Sequence, residues 1–180
     1  NETHEVAILE MGVNHFGEMR RLSSVASPDI CVITNIGMAH LEFFKTREGI
    51  FQEKSQMIQD MKNGGTIILN GDDDILSGCG PIKGVAPQFF GIGKNNEFYA
   101  DNITSLGLKG TSCTIHLPSG ECFDCTVPLP GAHMVSNALS GAAVGYNLDL
   151  TAGEIKAGIE HLPSIPGRGA IISTDKLVIL

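Results

Sequence analysis

The sequence predicts an α/β fold, a mostly parallel sheet flanked by helices, with a small antiparallel β unit. Three observations carry that prediction. Over the first ninety residues, short apolar runs that end in polar or Gly-rich turns alternate with helix-like stretches, the rhythm of β-α-β units with right-handed crossovers. Between residues 97 and 130 the rhythm changes to period-two apolar positions broken by "KG" and "SG" turns, as in hairpins. The composition, 42% apolar with 22 Gly, 8 Pro and no Trp in 180 residues, is that of a turn-rich protein with a real core. This length suits one well-buried domain, or one domain with a small appendage.

The elements follow in order. "EVAILEMG" is a short apolar run closed by an acid and a Gly, and "SPDICVITNIG" repeats the scheme after a helical interval that begins near Glu18. Both read as parallel strands of a covered sheet. From Leu41 to Met61, apolar residues at Ile50, Phe51, Met57, Ile58 and Met61 approach helical spacing, and "NGG" stops the helix. "TIILNGDDD" is a third buried strand running into an acidic loop, and "APQFFGIG" a fourth. Helices return with "GAHMVSNALSGAAVGYNL", whose small residues Ala138, Gly141, Ala142 and Gly145 permit close approach to a neighbour. In "TAGEIKAGIEHL", Thr151 and Glu154 form a capping box. The final "GRGAIISTDKLVIL" stops within an apolar strand, as an excised piece would.

Charge and cysteine usage remove several function classes. A net charge of −8 disfavours a nucleic-acid partner, since no Lys/Arg stripe is present. No apolar run approaches the roughly 20 residues that cross a bilayer, and the N-terminus lacks a basic leader, so the cytoplasm is the expected location. The five cysteines, Cys31, Cys79, Cys113, Cys122 and Cys125, show no disulfide framework and read as free thiols. Cys122 and Cys125 have CxxC spacing, but in extended chain they point to opposite faces.

Chemistry is expected at the carboxyl ends of the strands, where open α/β sheets bind ligands. Glu10 lands there after the first strand, Thr34, Asn35 and then His40 after the second, and Asn70, Asp72 and Asp73 after the third. A carboxylate at a strand end suits Mg²⁺, which takes hard oxygen ligands and keeps waters and substrate phosphates. Each residue also has a plain reading: Glu10 a loop carboxylate, His40 a hydrogen-bonded structural histidine, "DDD" a solvated turn.

"EMGVNHFGEM", "ITNIGMAHLEFF", "REGIFQEKSQMI", "LNGDDD", "GAHMVSNALSGAAV" and "PGR" occur in the order and approximate spacing of the central, ATP-binding domain of the Mur ligase family, a P-loop NTPase-like fold. The chain resembles the MurF branch most, in its "EMGxNHxGE" form, over nearly its whole length. The resemblance implies an ATP- and Mg²⁺-dependent amide ligase that activates the terminal carboxylate of a UDP-N-acetylmuramoyl peptide as an acyl phosphate and couples it to D-alanyl-D-alanine. It implies metal-binding roles for Glu10, His40 and Lys54, with His40 and Lys54 catalytic and Lys54 carbamylated. Carbamylation requires surroundings that lower the lysine's pKa. By the same resemblance Asn137 lies near the adenine, Arg168 near the nucleotide phosphates, and Asn14, His15, Thr34 and Asn35 near the substrate. Met134 stands where the family has an Asn.

The phosphate cradle GxxxxGK[ST] is absent from these 180 residues, and "GIGKNNEF" reads as a loop. Residues 1–180 are therefore expected to be a central-domain fragment without its phosphate-loop segment, its UDP-binding N-terminal domain or its C-terminal domain, and to be inactive alone. Two other readings stand beside this one: a non-catalytic nucleotide- or partner-binding module, and a related ligase with another amino-acid substrate.

Overall fold

The computed structural model describes residues 3–163, 172–174 and 177–179. The chain divides into two compact units, one of Asn1–Leu69 with Asp73–Pro87 and the other of Asn70–Asp72 with Gln88–Leu180.

In the first unit, α1 (Glu18–Ala26) leads to β1 (Ile30–Ile33), α2 (Leu41–Phe44), α3 (Arg47–Lys54), a 3-10 segment (Ser55–Asp60) and β2 (Thr66–Asn70). Strands β1 and β2 run parallel, Ile30 opposite Thr66 through Ile33 opposite Leu69. Ile67, Ile68 and Leu69 are all fully buried, so β2 is covered on both faces, as its unbroken apolar run predicts.

Two expectations fail here. The run "EVAILEMG" forms no strand; Val6, Ile8 and Leu9 are 50%, 86% and 61% exposed. An apolar run becomes a strand only where a neighbour completes its ladder, and none of the described residues does so. The expected helix from Leu41 to Met61 is three pieces. Lys45 has φ 67°, which ends α2, and the Thr46 side chain accepts from Gly49 N, which starts α3 anew.

The second unit holds β3 (Gln88–Gly91), β4 (Phe98–Ser105), β5 (Thr111–His116), β6 (Cys122–Val127), α4 (Ala132–Asn147) and α5 (Ala152–Glu160). Strand β4 pairs parallel with β3, then β4, β5 and β6 pair antiparallel. The antiparallel strands therefore extend the strand β3 edge to edge, where the sequence suggested a unit packed on a sheet.

Phe90, Phe98, Ile115, Val127, Val135, Leu139, Ala142 and Ala143 are all at most 1% exposed and form this unit's core. A Cβ on Gly145 would stand 3.1 Å from Ile155, the close approach of α4 to α5 that its small residues allow. Thr151 and Glu154 form the expected capping box. The terminal apolar run is two short antiparallel strands, β7 (Ile172–Thr174) and β8 (Leu177–Ile179), instead of one.

Candidate functional site

Most of the expected site residues lie in the first unit, on loops that side chains hold in place. Strand β1 ends at Ile33, and the exposed Thr34 and Asn35 follow it. The next residue, Ile36, is fixed at both backbone groups. Its N–H donates to Asp73 Oδ2 at 2.8 Å, and its carbonyl accepts from Arg47 Nε at 2.9 Å. Arg47 also donates through both terminal nitrogens to the Asp74 carboxylate, at 2.8 and 2.5 Å. Asp73, its side chain 7% exposed, further accepts from the amides of Ile75 and Leu76 at 3.0 Å.

Lys54 is the last residue of α3. Its Nζ donates to the Asn35 carbonyl at 2.9 Å, so the helix end and the end of β1 meet. Burial pushes the Lys54 ammonium below its ordinary range, while the nearby charge of Asp73 works in the other direction. A desolvated lysine spends more of its time as the neutral, nucleophilic amine.

Glu53, one residue earlier, is 2% exposed. Its two carboxylate oxygens accept from Gly17 N (2.9 Å) and Met19 N (2.8 Å). The N-cap of α1, Gly17 at φ 87°, has no side chain to cap with, and Glu53 takes over that task from another helix.

Asn14 and His15 lie just before α1, both exposed. Their amides donate to Glu18 Oε2 at 2.7 and 3.0 Å, and the His15 ring sits 4.3 Å from that of Phe43. Phe16 meets Phe44 edge-on at 5.1 Å. His40 is exposed, sits at φ 61° and starts α2, its carbonyl accepting from Phe43 N and Phe44 N.

Glu10 is exposed in the unpaired stretch 5–12. Among the described residues neither Glu10 nor His40 makes a side-chain hydrogen bond to Lys54, and no group of three or more His, Cys, Asp and Glu could hold a metal. The donor chemistry accordingly fits no protein cage.

The remaining expected residues fall elsewhere. Asp72 is turned to the loop after β3, where it accepts from Ile92 N, Gly93 N and Asn96 Nδ2. The string "GIGKNNEF" is the turn around that carboxylate; a Cβ on Gly91 would stand 2.6 Å from Asp72. Both acids of "DDD" that the sequence placed at the site are thus occupied with backbone amides. Asn137 is exposed on α4, its Nδ2 3.6 Å from Met134 Sδ, so the methionine packs on the amide it neighbours. Arg168 lies outside the described residues.

Glu53 and Arg47 escaped the sequence reading. Glu53 carried a signal all the same: it follows the core residue Ile50 by three positions, on the same face of a helix, where a carboxylate needs a partner.

Comparisons with known proteins show which family the chain resembles. Residues 1–145 match the Mur ligase middle domain. The chain is 34% identical, over 98% of its length, to a UDP-N-acetylmuramoyl-tripeptide–D-alanyl-D-alanine ligase of Buchnera aphidicola subsp. Baizongia pistaciae, of which it covers 38%. It is 32% identical, over 92% of its length, to the ligase of that name from Escherichia coli (strain K12), covering 36%. A crystal structure of MurF from Acinetobacter baumannii superposes with a TM-score of 0.90 at 28% identity, over 99% of this chain and 39% of that one. MurF from Thermotoga maritima in complex with ADP shares the fold, with a TM-score of 0.79 at 23% identity over 92% of this chain and 38% of that one. The chain thus spans little more than a third of the length of the curated relatives it matches. From its motifs, its fold and these matches, the chain belongs to the Mur ligase middle domain family.

Proposed function

We propose that the whole protein is an ATP-dependent amide ligase of peptidoglycan precursor synthesis, joining D-alanyl-D-alanine to UDP-N-acetylmuramoyl tripeptide in the cytoplasm. Residues 1–180 are its central-domain portion, with 97–130 as a small β unit inside it and the UDP-binding and C-terminal domains supplied by the rest of the protein. The names of the relatives support the reaction. The single observation in this chain that supports it best is Lys54, half-buried, tethered to the Asn35 carbonyl at a strand end and lowered in pKa.

The chemistry is a sequence of charge-stabilisation problems. The terminal carboxylate of the tripeptide takes the γ-phosphoryl group of ATP, releasing ADP. The amine of D-alanyl-D-alanine then attacks the acyl carbon, and the tetrahedral adduct expels phosphate. Lys54 prepares the site before turnover: its neutral amine adds to carbon dioxide, an N–C bond forms, and a proton leaves to solvent. The carbamate replaces a cation with two hard oxygens. With the Glu10 carboxylate and the His40 imidazole it would hold Mg²⁺, which when bound neutralises charge on the phosphate oxygens. Asn14, His15, Thr34 and Asn35 orient the peptide end, Asn137 meets the base, and the planar fork of Arg168 meets phosphate.

The test uses the full-length protein with UDP-muramoyl tripeptide, ATP and D-alanyl-D-alanine. Wild type releases ADP only when both acceptor and donor are present, and Lys54→Ala lowers kcat by about 10³-fold or more. Wild-type ATP hydrolysis that ignores either substrate sinks the ligase reading.

A further inference from the structure

We infer that Glu53 is a positioning residue for substrate recognition: it sets the place of the Asn14–His15 segment relative to Lys54. The inference rests on the ligase reading above. Three observations carry it.

First, Glu53 is a charged side chain almost wholly withdrawn from water, and its bonds are to backbone amides. Such a carboxylate must find strong donors, and the open N-terminus of α1 provides them. The bonds span 36 and 34 residues of sequence, so they fix tertiary placement and not local helix form.

Second, Glu53 and Lys54 are consecutive on one rigid helix. At neighbouring positions a helix points its side chains about 100° apart. Glu53 accordingly reaches α1 while Lys54 reaches the Asn35 carbonyl. One peptide unit thereby registers the segment before α1 against the segment after β1.

Third, the Asn14–His15 segment takes its other restraints from the nearby Glu18 and from the rings of α2. Glu18 holds both amides from three or four residues away, and the His15 and Phe16 rings rest on Phe43 and Phe44. Those contacts shape the segment, and Glu53 ties it to the helix that bears Lys54.

Replacing Glu53 by Gln presents an NH₂ group to one of two amide donors and loses that bond. In the full-length ligase, Glu53→Gln is expected to raise KM for UDP-muramoyl tripeptide about ten-fold or more, with KM for ATP unchanged within two-fold. Glu53→Asp, which keeps the charge and retreats by one methylene, restores most of the affinity. It is also the variant to read if the glutamine form does not fold. Adding Glu53→Gln to His15→Ala should raise that KM no further than His15→Ala alone, because both act through one segment.

A purely structural role predicts otherwise: less folded enzyme, a lower apparent kcat and every KM unchanged. That pattern, or full additivity with His15→Ala, overturns the inference. A wild-type protein without tripeptide-dependent turnover overturns the ligase reading itself, so the two failures are distinguishable.

Discussion

The two compact units hold themselves together in different ways. In the second, β4, β5 and β6 share long antiparallel ladders, six residues of β5 each facing one of β6, and the buried Phe98, Ile115 and Val127 of those strands share a core with Val135 and Leu139 of α4. In the first, β1 and β2 are four and five residues long, and the loops after them are held by side chains that reach backbone groups. Asp73, Arg47, Glu53 and Lys54 all do this. A ladder fixes backbone to backbone and leaves little to vary. Long-range side-chain anchors place loops while leaving side chains such as His40, Asn35 and His15 exposed.

That contrast can be broken by experiment. Leu139→Ala, at a fully buried position in the second unit, should cost about 3 kcal/mol in urea unfolding by loss of transfer energy and cavity formation. Faster amide exchange should stay within that unit, and equal loosening at Gly17 and Met19 would abolish the distinction. Asp73→Ala removes the acceptor of three amides and a neighbour of Arg47, and should cost about 2 kcal/mol. Exchange at Ile36, Ile75 and Leu76 should rise while β5 stays protected.

Alkaline pH acts on both units, because burial pushes the Cys31 thiol of β1 up to about 11 as well. Burial pushes the Cys113 thiol up to about 11 and that of Cys125 to about 12, against 9.0 for an ordinary thiol. Between those values the folded state keeps protons that the unfolded state releases. The stability present below about pH 9 is thus lost as pH rises through 11 and 12, with a slope of at most about 1.4 kcal/mol per pH unit for each thiol. Urea midpoints from pH 8 to 10.5 should fall, and fall less in Cys125→Ala. The smallest effect is at the cap of α5: Thr151→Ala should cost about 1 kcal/mol, read as a lowered melting temperature.

Much of the fold was legible because it is written locally. The Thr151 and Glu154 box, the Gly145 close approach and the buried run of β2 each follow from a few adjacent residues. The two misses have different causes. "EVAILEMG" has the letters of a strand without a ladder, and the 41–61 helix breaks at Lys45, whose positive φ no local propensity demands. At the site, resemblance pointed to Lys54 and Asn35, and the geometry joined them. It also reassigned Asp72 and Asp73 from waiting carboxylates to anchors of backbone amides, and revealed Glu53, whose partners lie more than thirty residues away.

The sequence by itself determined the alternation of apolar runs and helices, the caps, and the motif order that marks the family, because each depends on short-range periodicity or on fixed spacing. Only the tertiary structure decided which carboxylates meet amides and which lysine end meets which strand end. Hydrogen bonds are short and directional, and the pairing of groups far apart in the chain is set by the packing that brings them within reach.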